Sequence, residues 1–226
     1  MKLKSIFCAT LFLLGSMAAT AQLEFGLTAG ANLSTWDYTS EEFGEDFFTE
    51  VQNTGLGEGL GETSYLPGFH AGIYAIFEFG PLTLMPEVLY SQKGSSKTGI
   101  LPDGSDIQAR AHYLTVPLLI GLEPFDGFNI QVGPTFGLLV QDMKLTGKDY
   151  DVSSDLYETN DIGATVGLMY DWDGPGFASI RYTHGLTPLF KYDLEPNDIV
   201  IQNRNLWLSV GFPIIFRGEK TGDSYD

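Results

Sequence analysis

The charged residues that could do chemistry in this sequence are few and lie far apart. Glu87, Lys93 and Arg181 each stand on the polar side of a segment in which apolar and polar residues alternate. Because a charge that is removed from water must be paired, we interpret Glu87 and Arg181 as partners in an internal polar network that also holds Lys93. Such a network can fill and cross-link an interior or carry protons and ions, and we favour the first role.

Three histidines, His70, His112 and His184, offer a second kind of chemistry. Three imidazoles could complete a zinc site, and one imidazole beside a serine could serve a hydrolase. The sequence contains neither an HExxH nor a GxSxG motif. His70 and His184 fall near the ends of predicted strands, where a hydrolytic site could lie. We nevertheless predict that the protein is not an enzyme and has no catalytic residue, no metal site and no cofactor.

A third feature is an acidic segment that contains no Lys or Arg. Its acidic residues are Asp37, Glu41, Glu42, Glu45, Asp46 and Glu50, followed by Glu58 and Glu62. Carboxylates at this density could bind Ca²⁺ or Mg²⁺, but their spacing does not match an EF-hand loop. We therefore favour a solvated acidic surface loop.

The beginning of the chain predicts export. Lys2 and Lys4 precede an apolar stretch from Ile6 to Gly15, and residues 19–21 are Ala-Thr-Ala. This arrangement is typical of a cleavable signal peptide over residues 1–21. Residues 22–226 then suit a single domain, with a short tail over residues 217–226. The single cysteine, Cys8, lies within the apolar stretch, so the exported chain would have no disulfide.

The charge balance excludes one class of partner. Twelve basic and 29 acidic residues give a net charge of −17. A nucleic-acid-binding protein needs a basic surface, so we expect no nucleic-acid partner.

Alternation of apolar and polar residues is the main structural signal. In residues 23–34, Leu23, Phe25, Leu27, Ala29, Ala31 and Leu33 form one row, with mostly polar or small residues between them. Similar rows occur near residues 69–79, 82–90, 114–122, 130–138, 162–170, 178–182 and 206–212. Strict alternation predicts strands with one apolar face. Most can be drawn at about 9 to 12 residues, and about 9 to 11 tilted residues cross a bilayer.

The connections between these rows alternate between short and long. Short turns are predicted near Gly80-Pro81, residues 124–127 and residues 172–175, and long connections over residues 35–66, 94–108, 141–159 and 186–203. Transmembrane barrels have short periplasmic turns and long extracellular loops. The sequence therefore predicts an all-β fold, an eight-stranded antiparallel up-and-down transmembrane β-barrel with four long extracellular loops and three short periplasmic turns.

Aromatic residues cluster near both predicted ends of the strands. Those near the turns are Phe79, Phe125, Phe128, Tyr170, Trp172, Phe177 and Phe212, and those near the other end are Trp36, Phe69, Tyr90 and Tyr113. We interpret them as two girdles at the membrane interfaces.

Several segments resemble one known family. Residues 26–34 (GLTAGANLS), 86–94 (PEVLYSQKG), 113–119 (YLTVPLL), 181–186 (RYTHGL) and 203–206 (NRNL) are similar, in this order, to the PorT-like outer-membrane barrel family of Bacteroidetes. Family members tend to carry an acid where Thr115 stands, and many end near the last strand, whereas this chain continues past Phe212. The resemblance implies the same barrel fold and, through one namesake, an accessory role in envelope or secretion machinery.

Taken together, the sequence predicts a protein of the outer membrane of a Gram-negative bacterium. We expect a structural or interaction protein that displays acidic loops at the cell surface. The expected partners are outer-membrane lipid and another envelope protein or a surface polysaccharide. Two alternatives stay open: a narrow channel for small solutes, and an outer-membrane lipid or peptide hydrolase. An eight-stranded barrel is just wide enough for side chains to fill it, which argues against the channel.

Overall fold

The computed structural model describes residues 22–40, 63–97, 107–146, 150–151, 158–172, 175–189 and 199–215. These residues form ten strands, which in chain order are β1 (Gln22–Ser40), β2 (Thr63–Ser64), β3 (Leu66–Phe79), β4 (Leu82–Lys97), β5 (Ile107–Phe125), β6 (Phe128–Thr146), β7 (Tyr150–Asp151), β8 (Asn160–Asp171), β9 (Phe177–Gly185) and β10 (Ile199–Ile215). β2 and β7 have two residues each, and the other eight are long strands. Within the described ranges, no helix is long and apolar enough to span a membrane.

The eight long strands close into one antiparallel barrel. Their order around the ring is β4-β3-β1-β10-β9-β8-β6-β5, and β5 pairs again with β4. The first and last strands of the chain, β1 and β10, therefore lie side by side. Because each long strand has two partners, the wall has no open edge, which is the condition for a sheet to lie in lipid. The predicted eight-stranded antiparallel barrel is confirmed.

Alternate side chains of each long strand face the interior. In β8, for example, Asp161 and Thr165 are buried, whereas Ile162, Val166 and Leu168 are exposed. The apolar rows predicted from the sequence form the outer wall, and the polar and small residues between them fill the interior. An apolar outside around a partly polar inside is the pattern of a barrel that is surrounded by lipid.

Three connections lie at one end of the barrel, which we call the turn rim. Gly80-Pro81 joins β3 to β4, Asp126-Gly127 joins β5 to β6, and residues 172–176 join β8 to β9. Gly80 and Gly127 have φ angles of 64° and 76°, in the left-handed region that glycine adopts without a steric penalty. The other four connections start from the opposite end, which we call the loop rim.

The strands are longer than the alternation of apolar and polar residues predicts. They range from 9 residues in β9 to 19 in β1, β5 and β6. Residues 35–40, which we predicted to lie in the first long loop, continue β1 and pair with residues 199–204 of β10. The loop boundary was wrong because the alternation stops where the apolar band ends, whereas backbone pairing requires no particular side chain.

The girdle prediction was right for some aromatic residues and wrong for others. Phe125, Tyr170 and Phe212 lie on the outer wall near the turn rim, with 74%, 53% and 55% of their surface exposed. Phe177, in contrast, faces the interior, where its ring packs edge-on against Tyr74 with the centroids 5.0 Å apart.

The same division holds near the loop rim. Phe69 and Tyr90 are exposed on the outer wall, whereas Tyr113 faces the interior and Trp36 packs against an interior cluster. Position along a strand decides the height of a side chain, but the parity of the residue decides its face. Grouping aromatic residues by height alone therefore mixed the two faces.

Candidate functional site

The structure brings Glu87 and Arg181 together across the interior. Glu87 lies in β4 and Arg181 in β9, and these strands are four places apart in the ring, on opposite walls. Arg181 Nη1 donates to Glu87 Oε2 at 2.7 Å, and the two side chains are 5% and 0% exposed. Arg181 Nε also donates to Gln131 Oε1 of β6 at 2.9 Å. The guanidinium thus joins three separate strands through one polar layer.

Breaking this pair would leave a charge inside the barrel. Glu87 Oε1 has no hydrogen-bond partner among the described residues, so the carboxylate depends on Arg181 for its compensation. Removing one member of a buried ion pair typically costs about 3 to 5 kcal/mol. The pair is therefore a strong constraint on the distance between the two walls.

Lys93 belongs to a second ion pair, whose partner we did not predict. Lys93 Nζ lies 2.7 Å from Asp161 Oδ2, and both side chains are buried. The ammonium also lies 5.0 Å from the centre of the Tyr113 ring and 5.8 Å from that of Trp207, within range of cation–π attraction. The signal for Asp161 was present in the sequence, because it stands one residue before the apolar row that begins at Ile162.

Hydroxyl groups connect neighbouring strands between the ion pairs. Thr165 Oγ1 lies 2.6 Å from Thr135 Oγ1 and 2.7 Å from Thr183 Oγ1. Trp207 Nε1 in turn donates to Thr183 Oγ1 at 3.0 Å. This chain of hydrogen bonds crosses four adjacent strands, β6, β8, β9 and β10.

Apolar clusters occupy the two ends of the interior. The cluster toward the turn rim consists of Tyr74, Ile76, Met85, Leu119, Met169 and Phe177. The cluster toward the loop rim consists of Ala109, Ala111, Tyr113 and Leu189. Leu189 follows β9 and is buried, and its backbone N–H donates to the carbonyl oxygen of Ile201 at 2.7 Å. Residues 186–189, the described part of the connection after β9, therefore bring Leu189 into the interior at the loop rim.

The histidines are distributed over both faces of the wall. His70 is buried, and its Nε2 lies 2.8 Å from Ser209 Oγ. His112 and His184 stand on the outer rows of β5 and β9. Among the residues that the structure describes, no three His, Cys, Asp or Glu side chains are close enough to hold a metal ion.

The acidic segment lies largely outside the described residues. Asp37 is the exception, because its backbone continues β1 and pairs with Gln202. Its assignment to the loop was therefore wrong, for the same reason as the loop boundary. The remaining members, Glu41, Glu42, Glu45, Asp46 and Glu50, and the proposed signal peptide over residues 1–21 lie outside the described ranges.

The closed ring, the apolar outer wall and the short turns at one rim define an outer-membrane β-barrel. The family model described as outer membrane protein beta-barrel domain matches residues 17–191. The chain belongs to this family, and the outer membrane is the location that this membership indicates.

Three solved structures of bacterial proteins resemble this chain. Neisserial surface protein A is 12% identical with a TM-score of 0.49, and the match covers 83% of this chain and 96% of that one. OprG from Pseudomonas aeruginosa is 11% identical with a TM-score of 0.43, covering 88% and 97%. Ail from Yersinia pestis is 12% identical with a TM-score of 0.41, covering 85% and 99%. No curated protein matches the chain.

Proposed function

We propose that the protein is a sealed outer-membrane scaffold. Its barrel anchors the chain in the membrane and presents acidic segments to another component of the cell envelope. The observation that carries this proposal is the pair of buried salt bridges, Arg181–Glu87 and Lys93–Asp161, that cross the interior. The four charged side chains are 0 to 8% exposed, and ion pairs that span from one wall to the other occupy the width of a narrow lumen.

The interior supports this interpretation over a channel. An ion that entered from the loop rim would first meet Leu189 and the apolar cluster around it. It would then have to displace the Lys93 and Arg181 ion pairs, and breaking a buried pair costs about 3 to 5 kcal/mol. An eight-stranded barrel has little width to spare for such a rearrangement.

The histidines support a scaffold over a hydrolase. His70 and Ser209 form a His–Ser hydrogen bond, but they are 1% and 4% exposed. A lipid or peptide could not reach them without opening the barrel. We therefore propose that the protein is not an enzyme.

The loop rim is the side that we propose faces the medium, because barrels of this type place short turns in the periplasm. Residues 41–62, which follow β1 at this rim, contain seven acidic residues and no Lys or Arg. Such a segment suits a partner with a basic surface or a polysaccharide that is bridged by divalent cations. Another envelope protein or surface polysaccharide is thus the partner class we propose.

We further propose that residues 1–21 direct export of the chain and are then cleaved off. We also propose that the chain groups with the PorT-like members of the family in Bacteroidetes. The order of the segments 26–34, 86–94, 113–119, 181–186 and 203–206 supports the grouping. An accessory role in envelope or secretion machinery would follow from it.

Conductance across planar lipid bilayers tests whether the barrel is sealed. The folded protein should give no single-channel steps, while a general porin added afterwards to the same membrane should give steps. Reproducible steps from the protein itself would contradict the sealed scaffold and support the channel.

Cross-linking on intact cells tests the partner. We would compare the wild type with a variant in which Glu41, Glu42, Glu45, Asp46 and Glu50 become Gln or Asn. As a matched control, Asp149, Asp151 and Asp155 become Asn in a second variant. Cross-linked partners should be lost in the first variant and kept in the second. Equal recovery from both variants and the wild type would contradict the role of the acidic segment.

A further inference from the structure

The outer wall of β3, β4 and β5 near the loop rim carries a set of side chains that the scaffold does not require. The rings of Phe69, Tyr90 and His112 form a row across the three strands, with successive centroids 5.8 Å apart. Tyr90 Oη and His112 Nδ1 also form a hydrogen bond. This row fixes an aromatic surface on the face of the barrel that contacts lipid.

Arg110 lies on the same outer row of β5 as His112, two residues closer to the loop rim. Its neighbours Ala109 and Ala111 are buried in the interior, so the side chain of Arg110 points outward. Arg110 Nη1 donates to Gln92 Oε1 at 2.8 Å. Gln92 is neutral, so this hydrogen bond does not compensate the positive charge of the guanidinium.

The guanidinium of Arg110 can attract an anion although the net charge of the whole chain is −17, because charges farther away than about 8 Å are largely screened at physiological salt.

The height of Arg110 matches the lipid headgroups. The outer row of β5 runs from Leu122 through Leu114 and His112 to Arg110. Twelve residues at about 3.3 Å each, on a strand tilted by about 40°, rise roughly 30 Å. Because the apolar band of such barrels is about 25 Å tall, Arg110 lies just above it. The aromatic row lies at the edge of the band, where aromatic side chains are favoured.

We propose that this wall binds a phosphorylated glycolipid of the outer leaflet. Arg110 binds the headgroup phosphate through the N–H groups that Gln92 does not use, since a guanidinium matches the geometry of phosphate oxygens. Tyr90, His112 and Phe69 contact the sugar and the first part of the acyl chains. Recognition of a lipid headgroup by a basic site at the membrane surface requires no pocket in the barrel itself. The site is independent of the partner that we propose for the acidic segment.

Native mass spectrometry of the folded protein released from a neutral detergent tests this site. The probes are diphosphorylated lipid A, the same lipid after removal of its phosphates, and phosphatidylglycerol. The variants are Arg110→Gln and, as a matched control, Arg204→Gln, which removes a cation from β10 on the opposite wall. Faster migration of the unboiled protein on a gel confirms that each variant is folded.

The wild type should retain the phosphorylated glycolipid about tenfold better than its dephosphorylated form, as expected for one charge-assisted contact. Arg110→Gln should lose this preference, and Arg204→Gln should keep it. Equal retention of the two lipid A forms by the wild type would overturn the proposal even if Arg110→Gln failed to fold. Equal retention of phosphatidylglycerol and phosphorylated lipid A by the wild type would also overturn it, as would displacement of lipid A by millimolar inorganic phosphate. A folded Arg110→Gln protein that binds like the wild type would also overturn it.

Discussion

Removing one member of the ion pair between Arg181 and Glu87 should be among the most destabilising single changes in the interior of the barrel. The two groups meet at 2.7 Å with 5% and 0% of their side chains exposed. Replacing either one leaves the other charge uncompensated inside the wall. We expect Glu87→Gln and Arg181→Met each to lower the free energy of unfolding by about 3 to 5 kcal/mol.

A double-mutant cycle separates the pair from the rest of the layer. In the double variant Glu87→Gln, Arg181→Met, neither charge is left without compensation, so its loss of stability should be well below the sum of the two single losses. We expect a coupling energy of about 2 kcal/mol or more. Urea titration in phospholipid vesicles, followed by tryptophan fluorescence and by gel mobility without boiling, would measure the free energy of unfolding of the wild type, the two single variants and the double variant.

The matched control combines Glu87→Gln with Lys93→Gln. These residues lie six positions apart on β4, about 20 Å along the strand, and their ion-pair partners are different. Sites more than about 7 to 10 Å apart usually contribute additively, so this cycle should show no coupling. Additive losses for Glu87 and Arg181 would refute the argument that the pair acts as a unit.

Two further pairs of substitutions test the interior packing and the lipid-facing wall. A Cβ on Gly211 would lie 2.2 Å from Cε1 of the Phe177 ring, so Gly211→Ala should destabilise the barrel by about 1 to 3 kcal/mol. Adding Phe177→Leu should restore part of that loss. An unchanged urea midpoint for Gly211→Ala would contradict the close packing of Gly211 against Phe177. Leu118 lies at the centre of the outer row of β5 with 39% of its surface exposed, so Leu118→Arg should cost about 2 to 4 kcal/mol, whereas Phe125→Arg at the turn rim should cost about 0 to 1 kcal/mol. Equal losses at these two depths in the same vesicle titration would argue against a lipid-embedded wall.

The fold was largely predictable because a transmembrane barrel is a repeated local pattern. Each strand needs one apolar face, and Leu114, Leu118 and Leu122 show that face in the sequence alone. Each short turn needs a residue that tolerates a positive φ, which Gly80 and Gly127 provide. These requirements act over a few residues, so the chain shows them before any tertiary contact is known.

The interior was predictable only in part. Parity placed Glu87 and Arg181 on inner rows, and their opposite charges suggested a pair. The same rule applied to Asp161 would have placed it inside as well. The odd or even position of a residue in its strand predicts which face it lies on. It does not predict the height of that residue relative to a residue on a strand that is not its neighbour.

The sequence by itself therefore determined the strand number, the turns, the lipid-facing rows and the acidic character of the chain. Only the tertiary structure decided that Arg181 meets Glu87, 94 residues away, and that Lys93 meets Asp161, 68 residues away. It also decided that Phe177 and Tyr113 face inward, and that Phe69, Tyr90 and His112 form a row on the outer wall below Arg110. The physical reason is that closure of the ring fixes the register of all strands at once, and that register brings residues from distant strands to the same height.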